Sequence, residues 1–329
     1  MTPTMFSMTP AAPPPWERAL VTAGAGFLGS HLCERLLGAG VEVTCVDGVP
    51  AEAALGVAHL AAAPRFHYVR QDIERPDCRA ALAGPYDLVL HLACPAASAA
   101  RAAHPPATPD GHSPGTRNAL AVAARDGARF LLVSTCEAGA HRAHDAARRS
   151  SETLTTAFVT AKDADAGIVR LFPAYGPRME PEDGPLIPTL IRQALSGTSV
   201  TVPGDGDRRP SLCYVDDTVD GVLLVAASRS VRPVDIGAEP TETVAGIARR
   251  VIALTGSHAR LECTGTRTDE PGPPLPATGF AHEIFGWTPR VLLDDGLKRT
   301  VADFLDRPAR SRPPTPPNAG GGGHLACSW

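Results

Sequence analysis

Lysine is almost absent from this chain: Lys162 and Lys298 are the only two among 31 basic residues in 329. Positive charge is therefore carried by arginine, which weakens the functional weight of any one Arg that stands where a Lys is expected. No basic block appears and the net charge is −4, which argues against a nucleic-acid partner. Aromatic residues make up only 5% of the chain, and tyrosine occurs four times. No apolar run reaches the length of a membrane span, so no membrane partner is expected. The eight cysteines form no C-x-x-C or C-x-x-H pattern, so no metal site is expected. Most sit in apolar stretches and read as small core residues, which points to a reducing cytoplasm. The opening "MTPTMFSMTPAAPPPW" has neither a charged nor an apolar leader region and reads as a Pro-rich tail.

What is present is a 43% hydrophobic chain in which strand and helix patterns alternate from residue 18. "RALVT", "VEVTCVD", "FHYVRQDI", "YDLVLHLA", "RFLLVST" and "GIVRLF" read as buried strands. "FLGSHLCERLLGAG", "AEAALGVAHLAA", "GTRNALAVAARDG" and "AHDAARRSSETLTTAFVTAK" read as the helices between them. This alternation predicts an α/β fold of Rossmann type, a doubly wound parallel sheet, with a smaller C-terminal α/β domain on the substrate side. The expected division is a tail over 1–16, a dinucleotide-binding domain over 17–174 with strands returning from about 212–237, a substrate-side domain over 175–306, and a second tail over 307–329.

"VTAGAGFLGSHL" joins the first strand to the first helix, and Gly24, Gly26 and Gly29 satisfy G-x-G-x-x-G. The chemistry needs glycine where the backbone turns tightly, approaches a pyrophosphate and lies under the helix. Phe27 and Leu28 would open that helix and offer N–H groups to phosphate. Asp47 ends the second strand, where a carboxylate accepts hydrogen bonds from the adenosine ribose and repels a 2′-phosphate. The expected cofactor is therefore NAD.

With "TAGAGFLGSHL", "QDI", "HLACPA", "STCE" and "LFPAYGPRM" in this order, the chain resembles the extended short-chain dehydrogenase/reductases. The resemblance is to their nucleotide-sugar epimerase/dehydratase branch, and within it to the UDP-glucuronate decarboxylases. It implies that Asp72 and Ile73 lie along the adenine and that Leu92 and Ala93 line the cofactor cleft. The first glycine of the family's T-G-x-x-G-x-x-G is Ala23 here, which calls for a backbone with negative φ. Thr135 matches the family's Ser/Thr that hydrogen-bonds the substrate, and Glu137 a glutamate active in the chemical steps.

The family's Tyr-x-x-x-Lys pair falls on His144 and Arg148, and none of Tyr68, Tyr86, Tyr175 and Tyr214 has a basic residue four positions on. A neutral imidazole is a competent base near neutral pH, and a guanidinium one helical turn away disfavours its protonation. Arg148 would also take over the ribose contact. The alternative is a drifted, solvated helix face. Only nine positions separate Thr135 from His144, fewer than in the family, so the cleft is expected to be more open or rebuilt.

On the substrate side, Pro173, Pro210 and Pro274 stand where the family has donors for the substrate diphosphate, and proline donates no hydrogen bond. Arg178, Arg192 and Arg209 are the candidate replacements. Three functions stay open. One is an NAD-dependent enzyme that transiently oxidises a ring carbon of a sugar-like, nucleotide-linked or free, substrate. Another is a redirected enzyme doing acid–base or lyase chemistry in specialised metabolism. The last is a non-catalytic NAD sensor. The resemblance also implies a homodimer through the helices matching 115–126 and 141–162.

Overall fold

The computed structural model describes residues 14–92, 114–135, 142–162, 164–180, 186–265 and 275–307. Its main sheet is built from β1 (Arg18–Thr22), β2 (Glu42–Asp47), β3 (Phe66–Arg70), β4 (Leu88–Leu92), β5 (Arg129–Thr135), β6 (Ala166–Leu171) and, late in the chain, Val234–Ile236. All pairings are parallel, and the spatial order runs β3-β2-β1-β4-β5-β6 with Val234–Ile236 outside β6. The order reverses between β1 and β4, which opens a crevice at the carboxyl ends of those strands.

Alternation along each strand divides the core between the two faces of the sheet. Ala19, Val21, Leu88, Leu90, Leu131 and Val133 face one side, against α1 (Phe27–Gly38) and the helix Val215–Ala227. Leu20, Val89, Phe130 and Leu132 face the other, against α2 (Cys78–Ala81), α3 (Pro114–Asp126) and α4 (Arg142–Lys162). Strands buried on both faces read as continuous apolar runs, the pattern seen in "DLVLHL" and "RFLLV".

Beyond β6 the chain forms β7 (Ala174–Tyr175), α5 (Ile187–Ser196), β8 (Val200–Val202), β9 (Cys213–Tyr214), α6 (Val215–Ala227), β10 (Val234–Ile236), α7 (Val244–Leu254), β11 (Leu261–Cys263), α8 (Gly279–Phe285) and α9 (Leu293–Asp306). Two small parallel pairs, β7 with β9 and β8 with β11, carry this half. Asp217 ties it to the main sheet layer: its buried carboxylate accepts from the N–H groups of Arg290 and Val291, 3.0 and 2.8 Å away. Among the described residues no helix is long and apolar enough to cross a membrane.

One helix expected from the sequence takes another form. "AEAALGVAHLAA" is two short 3₁₀ turns, Ala51–Ala53 and Leu55–Leu60. Gly56, in the second of these turns, presses against the loop after β1: a Cβ there would lie 2.5 Å from the Ala25 carbonyl oxygen.

Candidate cofactor and catalytic site

Apart from Arg148 on α4, the described candidate cofactor residues lie at or follow the carboxyl ends of β1 to β4. Ala23–Gly26 carry the chain from β1 into α1, with the Gly24 N–H donating to Val46 O at 3.2 Å. Each glycine has its own physical reason. A Cβ on Gly24 would meet the Cys45 Sγ at 2.6 Å, and one on Gly29 would meet Ala23 O at 2.4 Å and the Gly24 Cα at 2.6 Å. Gly26 is different: its Cβ would meet only Ala23 O, at 3.4 Å. Its outer side is open, so a pyrophosphate can approach the bare backbone there. Gly26 also caps α1 without a side chain, which leaves the first N–H groups, those of Phe27 and Leu28 among them, facing outward.

Ala23 corrects the sequence expectation. Its φ is +49°, in the left-handed region, not the negative value an alanine prefers. Ala23 O must accept from the Gly26 N–H at 3.2 Å and lie over Gly29, so the turn imposes this conformation.

Asp47, the last residue of β2, is half-buried and held by two backbone donors: Ala25 N–H to Oδ2 at 3.2 Å and Val49 N–H to Oδ1 at 3.3 Å. The carboxylate is thus fixed beside the glycine loop with acceptor capacity left over, as a ribose diol requires. Beyond β3, Asp72 Oδ1 accepts from the Glu74 N–H at 3.0 Å. The loop is fastened by Asn118 of α3, whose Nδ2 donates to Ile73 O at 2.9 Å and Arg75 O at 3.1 Å. These residues fit NAD: an open glycine backbone for the pyrophosphate, a fixed carboxylate for the ribose, and an apolar wall from Ile73 and Leu92. Ala93 lies outside the described residues.

Beneath the crevice runs a buried chain that sequence reading missed. His91 of β4 is 2% exposed, with Nδ1 2.8 Å from Thr22 Oγ1 and Nε2 3.1 Å from Thr116 Oγ1. Thr116 in turn donates to Ser151 Oγ at 2.9 Å, so it accepts from His91 Nε2–H, and Thr22 donates to Nδ1. Burial pushes the His91 pKa down to about 4, and the imidazole is neutral. The chain links β1, β4, α3 and α4, the elements that frame the crevice.

Thr135 is the half-buried last residue of β5. Glu137 lies outside the described residues. His144 sits in the first turns of α4, with its side chain outside the described residues, and Arg148 follows one turn later. Arg148 Nη1 stands 3.4 Å from Glu152 Oε1. Glu152 also accepts from Ser134 Oγ at 2.8 Å and from Arg170 through Nε at 3.1 Å and Nη2 at 2.8 Å. Burial pushes the Glu152 carboxyl up, but the hydrogen bonds from Arg170 and Ser134 and the two guanidinium charges outweigh it and hold the carboxyl below its ordinary value. Sequence reading did not single out Glu152. Its signal was there: an acid four residues after Arg148, and Arg170 as the one charge in "GIVRLF".

The three candidate substrate arginines are dispersed. Arg192 is exposed on α5. Arg209 Nη1 donates to Thr241 O at 3.0 Å. Arg178 has its guanidinium over α1: Nη2 donates to His31 Nδ1 at 2.5 Å and Glu34 Oε2 at 2.6 Å, and Nη1 to His59 Nε2 at 2.9 Å. Its φ is +70°, held by its own N–H on Asp303 Oδ2 at 2.9 Å. Its donors are thus engaged by His31 and Glu34 of α1 and by His59 of the 3₁₀ turn Leu55–Leu60. His31 Nε2–H donates to Pro177 O at 2.9 Å; burial and the Arg178 charge bring its pKa down to about 4. Pro173 offers only its carbonyl, to the Cys213 N–H at 2.9 Å. Pro274 lies outside the described residues.

Comparison with known proteins gives the same outline. UDP-glucuronic acid decarboxylase 1 of Arabidopsis thaliana is 32% identical over 310 residues, covering 88% of this chain and 70% of that protein. UDP-glucuronic acid decarboxylase 1 of Xenopus tropicalis is 31% identical over 308 residues, covering 88% and 72%. Among solved structures, the dTDP-glucose 4,6-dehydratase DesIV of Streptomyces venezuelae, with NAD and TYD bound, superposes with a TM-score of 0.75 at 25% identity, covering 88% and 97%. The epimerase Mth375 of Methanothermobacter thermautotrophicus shares the fold, with a TM-score of 0.78 at 21% identity, covering 88% and 92%. Residues 19–237, the span that runs from β1 through the glycine loop and α4 to β10, match one family over their whole length, and the chain belongs to it: the NAD dependent epimerase/dehydratase family.

Proposed function

We propose that this protein binds NAD and transiently oxidises a ring carbon of a sugar or sugar-derived substrate, nucleotide-linked in the simplest case, leading to decarboxylation, epimerisation or elimination. The observation that carries the reading is the open backbone at Gly26 beside a fixed Asp47 carboxylate. Bound there, NAD supplies a hydride acceptor that can return what it takes. Thr135 hydrogen-bonds the substrate oxygen, His144 removes the hydroxyl proton, and Arg148 holds the nicotinamide ribose. Glu137 assists the later proton transfers. Asp72, Ile73, Leu92 and Ala93 flank the adenine and the cleft, while Arg192 and Arg209 supply positive charge for the substrate. The protein works in a reducing cytoplasm as a homodimer.

A second reading is favoured by a specific observation. Pro173 and Pro210 lack donors, and the Arg178 guanidinium is held by His31, Glu34 and His59. A substrate without a diphosphate, handled by acid–base or lyase chemistry in specialised metabolism with no net redox, suits such a site. One experiment separates the two: mix the NAD-loaded protein with UDP-glucuronate and with free sugar acids in single turnover, and follow the near-ultraviolet band of reduced nicotinamide. A transient rise is the expected result; turnover with a flat trace would favour the second reading. His144→Ala should abolish the rise, and an unchanged rise removes His144 from the chemistry.

A further inference from the structure

Glu152 has more partners than anchoring a helix needs. It is 9% exposed and sits on the face of α4 that packs against β5 and β6. Those strands alone fix its carboxylate: Arg170 of β6 grips both oxygens in a fork, and Ser134 of β5 donates to Oε1 at 2.8 Å. Ser134 and Arg170 are register partners, one position before the strands end at Thr135 and Leu171. The carboxylate is therefore a fixed point on the sheet, near the carboxyl ends of β5 and β6. A bidentate Arg–carboxylate pair restricts orientation as well as distance.

Arg148 lies one turn nearer the crevice, because α4 starts at the carboxyl edge of β5 and runs back along it to reach β6. Its contact with Glu152, at 3.4 Å, is the longest of the set. Two guanidinium groups share the Glu152 carboxylate. An arginine in this place has a long side chain with several rotamers, and aiming it at a diol costs rotamer entropy unless something already holds it.

We propose that Glu152 is a positioning residue for the cofactor: it holds the Arg148 guanidinium where it can bridge the hydroxyls of the nicotinamide ribose. The inference rests on the reading that Arg148 takes the ribose contact. Anchoring of α4 is met by Arg170 and Ser134, and the contact to Arg148 serves the cofactor.

The test is a double-mutant cycle on NAD affinity, measured by calorimetry on the full chain without substrate. Arg148→Gln and Glu152→Gln should each weaken NAD binding about ten- to a hundredfold, the size of one hydrogen bond to a charged group. The double variant should bind no more weakly than either single one. Additive losses would overturn the proposal, since Glu152 would then act without Arg148. A lower melting temperature for Glu152→Gln with NAD affinity intact would also overturn it, leaving only the anchoring role. Arg148→Gln with unchanged affinity would refute the ribose reading itself, and the proposal with it. Should Glu152→Gln not fold, Glu152→Asp keeps a charge for Arg170 and shortens the reach by one methylene. A loss of NAD affinity confined to the Arg148 background supports the proposal, and no loss in that background overturns it.

Discussion

Ala23→Gly should make this protein more stable, a direction contrary to the usual effect of adding glycine. Ala23 is exposed, with φ at +49°, where its Cβ crowds the backbone. An L-residue in that region costs about 1–2 kcal/mol. The chain cannot relax to escape it. Moving Ala23 O would break the bond from the Gly26 N–H and disturb a contact so close that Gly29 tolerates no Cβ beneath it. Against the relief stands the greater freedom of glycine in the unfolded chain, about 0.5–1 kcal/mol. The difference centres on a gain of about 0.75 kcal/mol, which in a chain of this size raises the melting temperature by about 1 °C. The assay is a thermal melt of wild type and variant side by side, with urea unfolding as the check on magnitude. NAD affinity should hold or improve, because the variant relaxes the loop without moving it. A variant that melts lower than wild type would refute the reasoning, for it would mean that the Ala23 methyl makes contacts worth more than the strain. Ala23→Val supplies the opposite sign: a β-branched residue in the same conformation should destabilise by at least about 1 kcal/mol.

Gly29→Ala should lower stability by about 1–3 kcal/mol and abolish measurable NAD binding, since its Cβ would lie 2.4 Å from Ala23 O and backbone cannot yield as a side chain does; calorimetry with NAD checks it, and intact binding would contradict the packing role. Asp47→Asn should cut the ratio of NAD to NADP affinity about tenfold or more by removing a charged acceptor and its repulsion of a 2′-phosphate; an unchanged ratio would contradict the assignment. Stability should fall as pH drops from about 6.5 toward 4. His31 and His91 have folded pKa values near 4, below the unfolded value, so the unfolded chain binds more protons throughout that window. Burial lowers His59 in the same direction. Two protons near pH 5 correspond to roughly 2–3 kcal/mol per pH unit. His91→Asn should flatten the slope of urea-unfolding free energy against pH, and a slope as steep as wild type would show that His91 does not carry its share.

The parallel sheet was legible because each strand is buried on both faces and reads as an apolar run, while the glycine spacing marks the first crossover. The candidate cofactor residues of the glycine loop and of β2–β4 were placed for a related reason. They follow strand ends, and strand ends in such a sheet all meet at one edge. What escaped were features that depend on contacts across the chain. The 3₁₀ turns after β2 carry an apolar pattern that suits a helix, and the close approach of Gly56 to Ala25 O, 31 positions away, cannot be read from that pattern. Ala23 looked unstrained because composition cannot reveal φ. Arg178 was a candidate replacement for the donors lost at the prolines, and its left-handed backbone and its His31, Glu34 and His59 partners could not be read from the sequence. His91 and Glu152 read as ordinary members of a strand and a helix, and their partners lie on other elements.

These hidden contacts bear on the altered Tyr-x-x-x-Lys pair. If α4 had drifted into a solvated surface helix, its inner face would have no reason to keep a buried acid. Instead Ser151 continues the hydrogen-bonded chain from Thr22 through His91 and Thr116, and Glu152 is clasped by Arg170 and Ser134. Both contacts lie within one turn of Arg148, and both hold α4 in fixed relation to the glycine loop and to the end of β5. Through these contacts the middle of α4 is registered against β1, β4, β5 and β6. A helix tied down in this way on its inner face is not a drifted, solvated one, and the proposed roles of His144 and Arg148 are tested on a helix that the fold holds in place.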